Sequence, residues 1–442
     1  MKLNLYIETY GCQMNLSDSE IVASILADKG ITTIANISEA DIILLNTCSV
    51  RDNAEQRIRK RLKELKSLKK KKPSLIVGII GCMAERQKEN LFAEEEIVDL
   101  IVGPDAYRDL PSIIERVEGG MRSANVLLST EETYADINPV RYHQNKISAF
   151  ISIMRGCENF CTYCVVPYTR GKERSRNPET IIREAKNLFE NGYKEVTLLG
   201  QNVNSYHFEG YDFARLIRDV AMINPLLRVR FTTSHPKDIS DELLLTIAEN
   251  KNICRSIHLP VQAGSTRMLE KMNRKYTREN YMERIEAIRR YIPDCSISTD
   301  IIAGFSSESE DDHQQTLSLM EWVGYDYAYM FKYSVREGTD AAKLFEDDVP
   351  EETKLRRLAE VIALQRKLSL QSNKKDIGNV VEVLVENVSK RSNDFLSGRN
   401  SQNKTVVFPR GNFQIGDYVH VKITDCTAAT LKGEAVGEKE CN

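Results

Sequence analysis

No stretch of about 18 uninterrupted apolar residues occurs in the 442-residue chain, so nothing in it reads as a membrane-spanning helix. The opening MKLNLYIETYGC alternates like a strand and lacks the apolar region of a secretory signal, so a cytoplasmic protein with reduced thiols is expected. Charge of one sign is lacking too. With a formal net charge of −3, any affinity for a polyanion has to come from local patches. Aromatics are few, at 7%, against 41% hydrophobic and 28% charged residues. That composition fits a soluble globular chain, and its length allows about three domains at roughly 150 residues each.

The absence with the most chemical content is that of a ligand. Cys157, Cys161 and Cys164 stand in the run MRGCENFCTYCVVPYTRG, with no fourth cysteine or histidine close behind. Structural zinc takes four protein ligands, usually from two pairs, and here there is no second pair. A cubane iron-sulfur cluster held by three thiolates keeps one iron open to an outside ligand. Unligated buried thiols are the plain alternative, and three in one short turn-rich loop argue against it.

The first segment repeats a unit. The apolar runs LNLYIETYGC, DIILLNTC and LIVGIIGC end at Cys12, Cys48 and Cys82, 36 and then 34 residues apart, with amphipathic stretches such as SDSEIVASILADKG between. The pattern predicts a doubly wound parallel sheet whose cysteines converge at the carboxyl edge, where open parallel sheets build ligand sites. The sheet is expected to finish with 97 to 104 and a helix near 109 to 118, and a Gly, Ser, Thr and Asn rich linker to occupy 119 to 145. A second three-cysteine cluster with an open iron follows from this reading. Cys254, Cys295, Cys426 and Cys441 are not expected to be ligands.

Beyond the linker, apolar runs at 149–154, 195–199, 228–233, 256–261, 296–302 and 326–333 alternate with helical patterns. Six strand-helix repeats are too few for an eight-stranded barrel and predict a partial (β/α)6 barrel of parallel strands over 146–376. The Cys157 loop follows its first strand, on the functional rim. An open cluster iron can chelate the amino and carboxylate groups of S-adenosylmethionine and reduce its sulfonium to yield a deoxyadenosyl radical. The strand-end residues Gly200, Gln201, Asn202, Gln262, Ser265 and Asp300, with Gly304, are candidates to hold the rest of that cofactor; Gly200 would let backbone approach its methionine part.

From Gly378 the period becomes two, in VVEVLVENV, KTVVFP, YVHVKITDC and TLKGEAVG. A small antiparallel β-barrel of a nucleic-acid-binding kind is expected over 377–441. Its basic residues Lys390, Arg391, Arg399, Lys404 and Arg410 form one candidate RNA patch. Arg170, Lys172, Arg174 and Arg176, just after the cluster loop, form another. Eleven basic residues against three acidic ones from Arg51 to Lys72 read equally well as an RNA contact and as a solvated helix face.

The chain resembles the methylthiotransferases of the radical S-adenosylmethionine class over nearly its full length. The resemblance rests on YGCQMN, NTCSVR, GCMAE, IMRGCENFCTYCVVPYTRGKERSR, LLGQNVNSY, HLPVQAGS, MNRKYT and STDIIAGF. It implies three domains: an amino-terminal cluster domain over 1–118, a radical barrel, and a TRAM-type RNA-binding barrel. It implies two [4Fe-4S] clusters. Cys157, Cys161 and Cys164 would hold the one that cleaves S-adenosylmethionine, and Cys12, Cys48 and Cys82 an auxiliary one that delivers sulfur. The implied reaction installs a methylthio group at carbon 2 of isopentenyl-adenosine at tRNA position 37. S-adenosylmethionine would serve as both methyl donor and radical source, with an external electron donor and a sulfur source as partners, no membrane, and a monomeric enzyme. GFSSES at 304 to 309 departs from the family, which commonly has Pro and Gly at the places of Ser306 and Ser307.

Siblings that modify a threonylcarbamoyl adenosine or a ribosomal-protein aspartate are alternatives, disfavoured by YGCQMN and the run through Arg176. A two-cluster electron carrier, or an iron-sensing RNA-binding regulator, is the alternative of another class. A carrier gains nothing from an open iron and ordinarily supplies four cysteines per cluster.

Overall fold

Runs such as IILLNT and IVGIIG are apolar at every position, so both faces of their sheet have to be covered. The computed structural model describes residues 3–48, 52–141 and 146–437, and Cys441 lies outside them. The amino-terminal sheet has six parallel strands in the order Thr32–Thr33, Asn4–Thr9, Ile42–Thr47, Ile76–Gly81, Leu100–Val102 and Ser123–Asn125. Ile42 and Leu44 pack with Ile21, Val22 and Leu26 of helix Gln13–Ala27 and with Ile113 of helix Leu110–Glu118. Ile43 and Leu45 point the other way, towards Ile58, Leu62 and Leu65 of helix Asp52–Lys71 and Met83 and Leu91 of helix Cys82–Glu94. Burial of those three apolar residues, at roughly 1.5–3 kcal/mol each, holds the highly charged helix Asp52–Lys71 on the sheet. Its cations Arg61 and Lys69 are used structurally, pairing with Glu8 and Asp99, and Lys72 just past its end pairs with Asp41.

The sheet runs on past its expected end, because Ser123–Asn125 pairs with Leu100–Val102. The chain after it is a packed strap. Tyr134 is buried and stacks on Tyr107 at 5.8 Å, and its hydroxyl donates to the Pro104 carbonyl at 3.0 Å. Arg141 bridges Glu20 of the first domain and Glu184 of the second. Polar, turn-forming composition conceals such anchoring, which rests on single large side chains.

The central unit has two three-stranded parallel arcs. Arg228–Thr232, Glu195–Leu199 and Ser148–Ser152 make one, and Ser256–His258, Ser296–Ala303 and Tyr327–Lys332 the other. A Val229–Ile253 bridge lies between them. Residues Ile297, Ile301 and Ala328 are buried against the helical layer, while the alternating Ser298, Asp300, Tyr327 and Tyr329 stay partly open. The 24-residue helix Glu351–Lys374 buttresses the last strands; its Gln365 donates to the Tyr325 carbonyl at 2.9 Å.

Strands Val380–Val388, Phe395–Arg399, Thr405–Pro409, Leu431–Ala435 and Tyr418–Cys426 close the terminal barrel in that order. Its core is Val383, Val385, Leu396, Val406, Phe408, Val421 and Ile423. One neighbouring pair, Thr405–Pro409 with Leu431–Ala435, is parallel, so the barrel is not wholly antiparallel.

Candidate functional site

The amino-terminal cysteines lie just beyond successive strand ends. Cys12 caps helix Gln13–Ala27, Cys48 follows Ile42–Thr47, and Cys82 opens helix Cys82–Glu94. Glycine makes their approach possible. A Cβ on Gly11, whose φ is +118°, would lie 2.3 Å from Cys48 Cβ, and one on Gly81 would lie 2.5 Å from Asn46 Oδ1. Asn15 fastens the turns: its amide donates to Asn46 Oδ1 at 3.1 Å and the Thr47 carbonyl at 2.9 Å, while Cys12 Sγ donates to its Oδ1 at 3.2 Å. The hydrogen bond between Cys48 and Cys12 lowers the Cys12 thiol to about 6 against opposing desolvation, with the Arg170 charge assisting. Burial pushes Cys82 up.

Arg170 ends the short helix Val166–Arg170, which follows Cys164 and packs on helix Cys82–Glu94. Its Nη2 donates to Asp18 Oδ2 at 2.7 Å, and Arg155 Nη1 donates to Asp18 Oδ1 at 2.8 Å. All three side chains are buried. Desolvation alone would raise the Asp18 carboxyl, but the two guanidinium groups outweigh it and hold the carboxyl below its ordinary range.

In the second trio, burial raises Cys157 to about 11 and Cys164 to about 12, and both also sense Cys161. The MNRKYT segment supports this loop. Thr162 N donates to the Met272 carbonyl at 3.1 Å, and Asn273 Nδ2 to the Phe160 carbonyl at 2.8 Å. Arg274 Nη1 donates to Cys161 Sγ at 3.2 Å. In the sequence MNRKYT carries only part of a family resemblance, with no spacing that ties it to the cysteine loop.

Among the described residues, the one trio of His, Cys, Asp or Glu ligand atoms mutually within 4.8 Å is Glu310, His313 and Glu360, where Arg356 already pairs with both carboxylates. Among the described residues, neither cysteine trio has all three sulfurs within that spacing. Beside Cys164 opens a cavity of about 570 Å³ lined by Tyr163, Gln262, Asp300, Met330 and Tyr333. Around the neighbouring strand ends, Ser152 Oγ, Gln201 Oε1, Ser234 Oγ and His235 Nε2 are buried without hydrogen-bond partners. Buried polar atoms left unsatisfied fit a bound polar group, although these four residues are not among those that line the cavity.

The other cofactor candidates have different surroundings. A Cβ on Gly200 would meet Met154 Cγ at 2.5 Å, so this glycine accommodates a protein side chain. Asn202 is committed to Asp238 and the His235 amide. Ser265 caps helix Thr266–Lys271 and donates to Asp312. Tyr163 lies inside the cysteine loop, and Tyr333, Ser152, Ser234 and His235 at or just past strand ends, where a lone polar or aromatic residue carries no spacing signal in sequence.

The candidate RNA residues divide by burial. Arg174 Nη2 meets both Asp105 oxygens at 2.9 and 3.0 Å, and Arg176 Nη1 meets Glu184 at 2.5 Å. Both arginines are buried, so the expected RNA contacts there are interior ion pairs. Arg399 joins Glu195 and Glu386, and Lys404 joins Asp376 and Asp326. These two dock the terminal barrel against the central unit. Lys172, Lys390, Arg391 and Arg410 are exposed.

Residues 4–103 match the family described as Uncharacterized protein family UPF0004, residues 151–320 the Radical SAM superfamily, and residues 374–436 the TRAM domain. The chain is similar to proteins named tRNA-2-methylthio-N(6)-dimethylallyladenosine synthase. That of Chloroherpeton thalassium is 59% identical, covering 98% of this chain and 96% of that protein. The Bacteroides fragilis protein is 59% identical over 98% and 95%, and the Flavobacterium johnsoniae protein 54% over 99% and 95%. Among solved structures, the radical S-adenosylmethionine methyltransferase TsrM from Kitasatospora setae aligns with a TM-score of 0.58 at 13% identity, over 77% of this chain and 75% of that chain. The cobalamin-dependent S-adenosylmethionine radical enzyme OxsB aligns at 0.54 and 13%, over 82% and 56%. At these identities the likeness is one of fold.

Proposed function

The chain belongs to the family of the tRNA-2-methylthio-N(6)-dimethylallyladenosine synthases, and on that premise we propose that it is the radical S-adenosylmethionine methylthiotransferase acting on isopentenylated adenosine of tRNA. The methylthio group enters at carbon 2 of the adenine at position 37. The observation that carries the reading is the pair of three-cysteine sets on either side of helix Val166–Arg170.

Cys157, Cys161 and Cys164 would hold a [4Fe-4S] cluster whose open iron binds S-adenosylmethionine and supplies the electron that yields the deoxyadenosyl radical. A second [4Fe-4S] cluster on Cys12, Cys48 and Cys82 would supply sulfur. The protein's part is to place and shield. Gln262 and Asp300 line the cavity beside Cys164, and Gln201, Ser234 and His235 hold buried polar atoms without partners that a polar cofactor would satisfy. Asp18 fixes Arg170 beside Cys12 and Cys82. Lys390, Arg391 and Arg410 present charge to the RNA backbone. An external reductant and a sulfur source complete the partners of a monomeric cytoplasmic enzyme; no helix among the described residues is long and apolar enough to cross a membrane.

Mass spectrometry of isopentenylated tRNA after anaerobic incubation with reconstituted, reduced protein and S-adenosylmethionine tests the reading. A methylthio adduct and free deoxyadenosine are expected. Deoxyadenosine without an adduct would move the substrate to a sibling's, and absence of both would discard the enzyme class.

A further inference from the structure

Arg274 is 5% exposed, yet among the described residues no carboxylate forms an ion pair with it. Its Nη1 donates to Cys161 Sγ at 3.2 Å and Tyr163 Oη at 3.3 Å, Nη2 to the Pro260 carbonyl at 2.7 Å, and Nε to Tyr276 Oη at 3.0 Å. Every partner except the cysteine is a neutral oxygen. A buried cation with no counter-charge is costly; burial keeps the Tyr163 and Tyr276 phenols protonated, which leaves the Cys161 sulfur, as a cluster thiolate, to carry the negative charge in its hydrogen-bond shell. The arginine beside the other trio is balanced differently, because Arg170 has Asp18 at 2.7 Å. One cysteine set therefore faces a buried arginine with no carboxylate on it, and the other faces an arginine that shares a carboxylate, Asp18, with Arg155.

We propose that Arg274 is a positioning residue that raises the reduction potential of the cluster on Cys157, Cys161 and Cys164, and does so for that cluster alone. The proposal rests on the reading that these cysteines hold a cluster. Reduction transfers one electron from an external one-electron donor to the cluster and makes it one unit more negative. A fixed cation donating a hydrogen bond to a ligand sulfur stabilises the more negative state. The anchors on Tyr276 and Pro260 keep the fork pointed at the sulfur through the change.

The test is a potentiometric titration of both clusters, followed by electron paramagnetic resonance, in anaerobically reconstituted full-length protein with iron per chain measured. R274M is expected to lower the midpoint of the radical cluster so that its reduced-to-oxidised ratio at a fixed potential falls by at least about tenfold, as for loss of a charge-assisted hydrogen bond. The auxiliary midpoint should stay where it is. R274Q, which keeps an N–H without the charge, and R274K, which keeps charge without the fork, should fall between, and they keep the test available if R274M takes up too little iron. Wild-type midpoints in R274Q and R274K, or equal shifts of both clusters, overturn the proposal. Wild-type protein with no titratable signal from the Cys157 set would overturn the cluster reading itself, a result separate from an unchanged midpoint.

Discussion

Asp18 holds two buried arginines at once, Arg155 and Arg170, from a helix whose first turn begins at Cys12. Asp18→Asn leaves two guanidinium groups without their charge partner and is expected to cost about 3–5 kcal/mol, read from urea unfolding of the intact chain. The sign with pH follows from the depressed carboxyl. Its contribution is full above the ordinary carboxylate value of about 4 and is lost as pH falls through the lower folded value, so wild type should show an acid-side loss of stability that the Asn variant lacks. Ser307 presents the opposite opportunity. It has φ +61°, the left-handed region, at one of the two positions where the family pattern has Pro and Gly. Ser307→Gly should remove roughly 1 kcal/mol of backbone strain, offset in part by loss of the Lys271 contact to its hydroxyl. A small rise in melting temperature is expected, and a fall would show that the side-chain contact dominates.

At the scale of elements, the strand-to-helix turns matter more than the strands. The turn after Asn4–Thr9 can approach Cys48 because Gly11 has no Cβ. Gly11→Ala should therefore deplete iron from the amino-terminal set while the Cys157 set keeps its share and still cleaves S-adenosylmethionine. Cys48→Ala should behave alike, whereas Cys161→Ala should abolish cleavage; methylthiolation surviving in Cys48→Ala would sink the auxiliary cluster. The repeated apolar-run-then-cysteine pattern made these turns legible, since strand period and unit spacing are local properties. The support given by MNRKYT to the cluster loop was not legible. It joins residues 272–274 to 160–162 across more than a hundred positions of chain, and a short polar segment has no periodicity to announce that.

In the whole molecule the terminal barrel, the proposed RNA module, is also a buttress. Arg228 donates to the Arg399 carbonyl at 2.8 Å and Arg230 to the Asn400 carbonyl at 2.8 Å. Deleting everything after Gly378 would thus expose Arg228, Arg230 and Glu195 and perturb the central barrel as well as RNA affinity. Point variants separate the two roles. Lys390→Ala, Arg391→Ala and Arg410→Ala should each flatten the log-log salt dependence of tRNA binding by about 0.7–0.9 if each meets a phosphate. Arg174→Met should leave that slope unchanged and lower stability instead, because its guanidinium belongs to Asp105. A reduced slope in Arg174→Met would return that residue to the RNA surface.

The chain's own pattern sufficed for the order of three units, the parallel strands, the placing of Cys12, Cys48 and Cys82 at strand ends and of Cys157, Cys161 and Cys164 in one loop, because alternation, run length and repeat spacing are written residue by residue. Which charges meet water and which meet each other was settled by folding. Arg174, Arg176, Arg399 and Lys404 look like any basic residues in sequence; Arg176 finds Glu184 close by in the chain, while Arg174, Arg399 and Lys404 are paired by Asp105, Glu195 and Asp376, which the fold brings to them from farther along the chain. A charge has no partner until the chain has chosen its neighbours.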